Sequence, residues 1–259
     1  MSLFNPRMLP DAEAMIGGGK PRRGRASGSL PIGKSVSVAS SGNLAAQPTL
    51  EVVNASSLDD IVDDITLELW FKMTEPTVQY DVKDLLAKVS TAATKHFQIY
   101  ISTNSSLSVQ YRTENNSRTN GVGFGSGAFV EDEWYHVAVV RSRADSQWRF
   151  YRNGGDEKTD TNSNADDPFT FDSGGKLRIG KKDLQAGTEF TGLFAEVRIW
   201  DYARSAQEIA DNYQRTLSGN EAGLRGYWRF LDNYLDDSAD ENHMTENQPG
   251  PAITADHPF

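Results

Sequence analysis

Two carboxyl groups held about 5 to 5.5 Å apart can cleave a glycosidic bond with retention, and alternate residues on one face of a β-strand supply that separation. Glu131 and Glu133 stand at i and i+2, but they fall in the loop-like EDEW ahead of an apolar run. Glu196 has Arg198, not a second acid, two positions on. Other reactive patterns are missing too. The chain has no cysteine, no H-E-x-x-H, no G-x-S-x-G and no Walker A loop. His96, His136, His243 and His257 share no ligand-like spacing. GFGSGA at 123–128 matches G-x-G-x-x-G/A, yet it leads into FVEDEWYH, without the helix whose N-terminus would hold a phosphate. The expected protein is therefore not an enzyme.

Two kinds of binding chemistry stay open. Calcium takes six to eight oxygen ligands, and acids cluster at Asp59, Asp60, Asp63 and Asp64 and again at Asp232, Asp236, Asp237 and Asp240. Asp236, Asp237 and Asp240 are the better candidates; the alternative is that these acids are solvated turn residues. Sugar recognition calls for an exposed aromatic ring flanked by polar groups. Trp70, Tyr111, Tyr151 and Trp200 are the candidates, read as pointing away from the apolar face of their strands. The competing reading puts them in the core, with Trp200 covered by a helix through Ile209.

These residues need strands to hold them, and the sequence supplies strands. ITLELWF (65–71) puts Ile65, Leu67, Leu69 and Phe71 on one face and Thr66, Glu68 and Trp70 on the other, a period of two. DLLAKV (84–89), FQIYIS (97–102), LSVQYR (107–112), WYHVAVVR (134–141), WRFYR (148–152), KLRIGK (176–181) and AEVRIW (195–200) read the same way. Asn153-Gly154 supplies the positive φ values of a two-residue hairpin turn. Ser205 and Glu208 form a capping box for a helix from about 206 to 214, with Ile209 and Tyr213 on its buried face. GLRGYWRF (223–230) is a further strand, followed by a polar loop with one short edge strand. Trp134, Val137, Val139, Phe150, Ile179, Val197 and Ile199 are expected to face inward.

ITLELWFK, DLLAKV, EDEWYHVAVVR, WRFYRNGG, KLRIGK and FTGLFAEVRIWDYARSAQEI together resemble the concanavalin A-like, laminin G-like jelly-roll superfamily, over roughly Glu51 to Thr245. The resemblance implies an all-β, two-sheet antiparallel jelly-roll sandwich with one short helix, at residues 49–259. It also implies lectin-like binding, calcium in some members and glucanase activity in others. GLRGYWRFLDNYLDDSADENHMT is similar to a family segment that elsewhere precedes the main strands, which leaves the terminal strand order open.

Residues 1–48 have no counterpart in the family. They hold six Lys or Arg against Asp11 and Glu13, while the whole 259-residue chain carries a net charge of −10. An acidic body repels phosphates and anionic membranes, so nucleic acid is not the expected partner. No run of about 18 apolar residues is present to span a membrane. The first residues lack the apolar core of a secretory signal, and the absence of cysteine fits assembly in a reducing compartment. Residues 1–48 read as an extended basic arm, in which Phe4, Lys20, Arg22, Arg23 and Arg25 would dock on a partner, another copy of the chain included. A minor-groove hook and a plain linker are the alternatives. Arm, fold and lack of cysteine together resemble bacteriophage appendage or capsid decoration proteins. The expected function is thus a non-enzymatic virion protein, made in the host cytoplasm, homo-oligomeric and joined to other subunits through its arm. The alternative is a calcium-assisted lectin for cell-surface glycans, and a glycoside hydrolase is the second alternative.

Overall fold

The computed structural model describes residues 33–38, 49–53, 55–75, 82–89, 95–112, 118–160, 167–169, 175–181, 188–247 and 251–259. The alternating runs become strands and stack as two antiparallel sheets. In chain order the first strands are β1 (Ser35–Val38), β2 (Leu50–Val52), β3 (Ile65–Met73), β4 (Lys83–Val89) and β5 (Lys95–Ile101). Next come β6 (Leu107–Arg112), β7 (Arg118–Val122), β8 (Trp134–Ser142), β9 (Gln147–Arg152) and β10 (Gly155–Asp160). The last are β11 (Lys176–Ile179), β12 (Gly192–Trp200), β13 (Leu224–Trp228), β14 (Thr245–Glu246) and β15 (Ala252–Thr254). Helix α1 (Ala206–Asn212) lies between β12 and β13.

One sheet has the order β10-β9-β8-β3-β12-β1-β15, with β13 also paired to β12; the other runs β14-β2-β11-β4-β5-β6-β7. Their facing sides make one apolar core. Leu67, Leu69, Phe71, Val137, Val139, Phe150, Val197, Ile199 and Trp228 meet Leu86, Phe97, Ile99, Val109, Leu177 and Ile179 there. Trp134 does not join them. It shares the parity of His136 and points outward, where its indole N–H donates to Asp256 at 2.9 Å. Tyr135 and Arg141 take the inward positions instead; the Arg141 guanidinium lies 4.0 Å over the Phe169 ring and donates to the Asp63 and Asp167 carbonyls.

Local sequence explains the turns. Asn153 and Gly154 both have positive φ (50° and 75°) and close the β9–β10 hairpin. A Cβ at Gly154 would sit 2.3 Å from the Tyr213 ring, so the turn also needs glycine for space. The Ser205–Glu208 capping box forms and starts α1 as expected. In β12 the alternation breaks once: Glu196 takes φ 51° and the register shifts between Ala195 and Arg198. This bulge keeps Phe194, Val197 and Ile199 all inward although Phe194 and Val197 are three apart.

Strand β1 comes from the stretch read as arm. Val36 pairs with Phe194 of β12 on one side and with Ile253 of β15 on the other, and is fully buried. Phe4, Lys20, Arg22, Arg23 and Arg25 lie outside the described residues. A chain starting at residue 33 keeps β1 and serves as the reference. One starting at residue 49 loses the buried Val36 and Val38 and strips β15 of its partner, at a cost of about 3 kcal/mol. That corresponds to a drop of roughly 10 °C, readable by calorimetry; equal melting points would show that β1 contributes nothing.

Candidate functional site

The outer face of the sheet containing β3 is covered by helix α1. Its outward residues are Thr66, Glu68 and Trp70 from β3, His136, Ala138 and Val140 from β8, Tyr151 from β9, and Arg198 and Trp200 from β12. Helix α1 lowers Ile209 onto Ala138, Val140 and Tyr151. Beneath the cap lies a buried ionic network. Glu68 is fully buried, pairs with Arg204, and lies 3.7 Å from Arg198 and 3.5 Å from His136. Arg198 also bonds Glu196 at 2.7 Å and donates to the Asn212 and Arg215 carbonyls, which ties the sheet to the end of α1. Burial would raise the Glu68 carboxyl, but His136 and the two arginines outweigh it and hold it at about 2. Burial holds His136 below its usual value despite Glu68 beside it.

This cover decides the fate of the four candidate aromatics. Trp70 is buried, donates to the Tyr213 carbonyl at 2.8 Å and is flanked by the Tyr213 and Phe259 rings. Tyr151 is buried under Ile209. Trp200 is buried too, but by Leu224, Tyr227, Tyr202 and Leu217, with the Arg204 guanidinium 4.2 Å over its ring; Ile209 packs elsewhere. Tyr111 has the parity of Leu107 and Val109, so it points into the core against Trp148. None of the four offers a free ring face for stacking on a sugar.

The acids are likewise spent. Asp236 accepts from the backbone N–H groups of Tyr227, Ser238 and Asn242 at 2.7–2.8 Å and from the Ser238 hydroxyl at 2.9 Å. Asp237 pairs with Arg229 at 2.6 Å and Asp240 with Arg225 at 2.7 Å. The three do not converge, and among the described residues no group of three or more His, Asp or Glu is placed to hold a metal. Asp59 reaches the buried Lys88 at 2.7 Å, Asp63 pairs with Arg143, and Asp64 accepts from the Arg143 N–H. Glu131 and Glu133 are exposed ahead of β8, with Glu133 accepting from the Tyr135 hydroxyl at 3.0 Å.

The other sheet carries the polar face. Across β6, β5, β4, β11 and β2 the register lines up Gln110, Gln98, Ala87, Arg178 and Glu51. At a strand spacing of about 4.8 Å this row is about 19 Å long. Beside it run Ser108, Tyr100 and Asp84. Gln98 is buried at 2% exposure; its amide N–H donates to Asp84, while its carbonyl oxygen has no hydrogen-bond partner among the described residues. Glu51 is clamped by Lys176 at 2.6 Å and Arg178 at 3.0 Å. Burial pushes the half-buried Tyr100 hydroxyl up, so it stays a protonated donor. Gln98, Ala87, Asp84, Ser108 and Glu51 are buried, so Gln110, Arg178 and Tyr100 are the members of these rows that reach the surface. By alternation Gln98 and Arg178 lie opposite the apolar residues of their strands, whereas Ala87 shares the parity of Leu85 and Val89, and Glu51 lies outside the strands read from the sequence. What local sequence does not carry is the register between β11, β4 and β2 that makes them a row.

The family profile of the concanavalin A-like lectin/glucanases superfamily matches residues 45–210. The chain belongs to that superfamily. Among solved structures of the fold, the heptameric SAP-like pentraxin of Limulus polyphemus is 14% identical with a TM-score of 0.62, over 89% of this chain and 99% of the pentraxin. A protein of Bacteroides ovatus ATCC 8483 described as carbohydrate binding is 16% identical with a TM-score of 0.58, over 87% of this chain and 60% of its own. At these identities the likeness is one of fold. The adhesion G-protein coupled receptor V1 of Danio rerio is 23% identical over 189 residues, 72% of this chain; the match spans about 3% of the receptor. None of these relatives is a virion protein. The superfamily fold accounts for the two-sheet sandwich.

Proposed function

We propose that the chain is a non-enzymatic carbohydrate-binding module whose glycan lies along the row Gln110, Gln98, Ala87 and Arg178. The observation that carries the reading is the superfamily match over residues 45–210, and Gln110 and Arg178 are the partly exposed polar groups of the row that a glycan could reach. Membership in a lectin superfamily and the Bacteroides ovatus relative described as carbohydrate binding support the same ligand class. The carboxylates weighed for hydrolysis form no pair: Glu196 is buried against Arg198 and Tyr227, and Glu131 and Glu133 sit in the exposed loop ahead of β8. The docking role expected of Phe4, Lys20, Arg22, Arg23 and Arg25 rests on residues outside the description and is not advanced.

A glycan array probed with the full chain, with and without chelator, is the test. Saturable binding to at least one glycan is expected, and Gln110→Ala and Arg178→Ala should each weaken it about tenfold, the worth of one good hydrogen bond. Glycan binding that both variants leave intact, with unchanged circular dichroism, would remove the row from the site.

A further inference from the structure

His136 of β8 lies under the cap at 1% exposure, and neither of its ring nitrogens has a hydrogen-bond partner among the described residues. Charged groups reach it from three elements. Glu68 of β3 approaches its Nε2 at 3.5 Å. Arg198 of β12 lies 3.7 Å from the same carboxylate oxygen, and Arg204, from the turn into α1, bonds the other one. Trp70 and Tyr213 fill the remaining space with rings centred 5.6 Å and 5.7 Å away, and they bring no carboxylate. Glu196 is spent on Arg198 and Tyr227. The last segment reaches Trp70 through Phe259; its Asp256 is tied to Lys72 and Trp134, and its His257 ring meets Phe259. Two glutamates thus balance two arginines around a neutral imidazole. A proton on His136 would add an unmatched buried charge beside both guanidinium groups.

The same arginines fasten the cap. Arg204 donates to the Glu208 carbonyl at 2.9 Å, and Arg198 donates to the Asn212 carbonyl at 3.1 Å and to the Arg215 carbonyl. These bonds tie residues 204–215 to the sheet around one imidazole. Lifting the cap would give that imidazole water and its ordinary affinity for protons, so acid favours the lifted form. We infer that His136 is an acid-operated latch: it keeps residues 201–215 on the sheet containing β3 at neutral pH and releases them in mild acid, baring Ala138, Val140 and Tyr151. Burial holds His136 below its usual 6.5 in the closed chain, so its contribution to closure is complete above pH 6.5 and declines below it. Glu68, at about 2 when closed against 4.5 when free, takes no part above pH 4.5, which leaves the window between the two values to histidine. The latch lies on the sheet opposite the glycan row, and either can fail without the other.

The experiment is hydrogen exchange of the full chain, read by mass spectrometry at pH 7 and pH 5 and corrected for the chemical exchange rate. Opening of residues 201–215 should rise at least about fivefold at pH 5, while β3 and β8 keep their protection. His136→Gln and His136→Phe remove the titrating group, the second keeping a ring between Trp70 and Tyr213. Each should open equally at the two pH values. His257→Gln, which removes the histidine of the last segment, should respond to acid as the unaltered chain does. Opening of the unaltered chain that is the same at pH 7 and pH 5 overturns the proposal. So does an acid response that survives in a His136 variant or disappears in His257→Gln, since either places the sensor elsewhere. Loss of protection in β3 and β8 along with the cap would overturn it too, because the whole sandwich would then be unfolding.

Discussion

Replacing Glu68 with alanine is expected to lower the free energy of unfolding by about 3 to 5 kcal/mol, the cost of removing one partner from a buried ionic group. Arg204 and Arg198 would remain buried on either side of the gap, and both hold the cap: Arg204 bonds the Glu208 carbonyl and Arg198 the Asn212 carbonyl. With whole domains stable by only about 5–15 kcal/mol, the loss should be plain in urea unfolding. Hydrogen exchange should rise first in residues 201–215. Acid makes a second test. Glu68 titrates at about 2 in the folded chain against 4.5 for the free side chain. Its contribution is therefore complete above pH 4.5 and lost as the pH falls towards 2. His136, held neutral by burial, adds to this: its contribution is complete above 6.5 and declines as acid protonates the unfolded chain. Glu68→Gln should then show a flatter fall in stability below pH 4.5 than the unaltered chain. Parallel curves would mean that the network carries no net energy.

Asp236→Ala should cost about 4 kcal/mol, because it strands three buried backbone donors, each worth about 1–3 kcal/mol when unmet, with some relief from relaxation. The loop it closes matters beyond itself. Asn242, held by Asp236, accepts from the Trp228 indole through its carbonyl at 3.0 Å, and its side chain bonds Ser57 at 3.0 Å and the Arg225 carbonyl at 3.0 Å. One carboxylate thus fastens β13, the loop after it and the turn before β3. Asp236→Asn keeps one acceptor but turns a donor towards donors, so a loss of about 2 kcal/mol is expected. Melting followed in calcium and in chelator should give one temperature for each variant. Calcium stabilisation of the unaltered chain that vanishes in Asp236→Ala would restore the carboxylate as a metal ligand.

The strands were readable because core residues alternate, and α1 because Ser205 and Glu208 announce its start. Two parities differ from expectation. Counted from Val109 and Val137, Tyr111 falls on the inner face and Trp134 on the outer one, each opposite to the face expected. The shift in β12 leaves a trace in FAEVRIW, where apolar residues are three apart at Phe194 and Val197, and the bulge at Glu196 is its cause. Glu68 reads as a solvent-facing charge by its parity; only the fold of residues 201–223 over that face makes it a buried one. Strands β2, β14 and β15 run only two or three residues, too brief for a periodic pattern. The row through Gln98 depends on the pairing of five separate strands, which no local pattern carries.

Strand β1 has a consequence for how quickly the chain acquires its structure. Its two neighbours, β12 and β15, come from the other end of the sequence, so no hairpin can deliver either of them. Such distant pairings must bear their loop entropy before any contact rewards it, and sheets dominated by them fold in milliseconds to seconds. On a ribosome adding about 5–20 residues per second, β1 would wait many seconds for a partner, during which Val36 and Val38 stay open to chaperones. The β8–β9–β10 meander needs no such delay and is the natural nucleus, which makes the joining of β1 a late event in the life of each molecule.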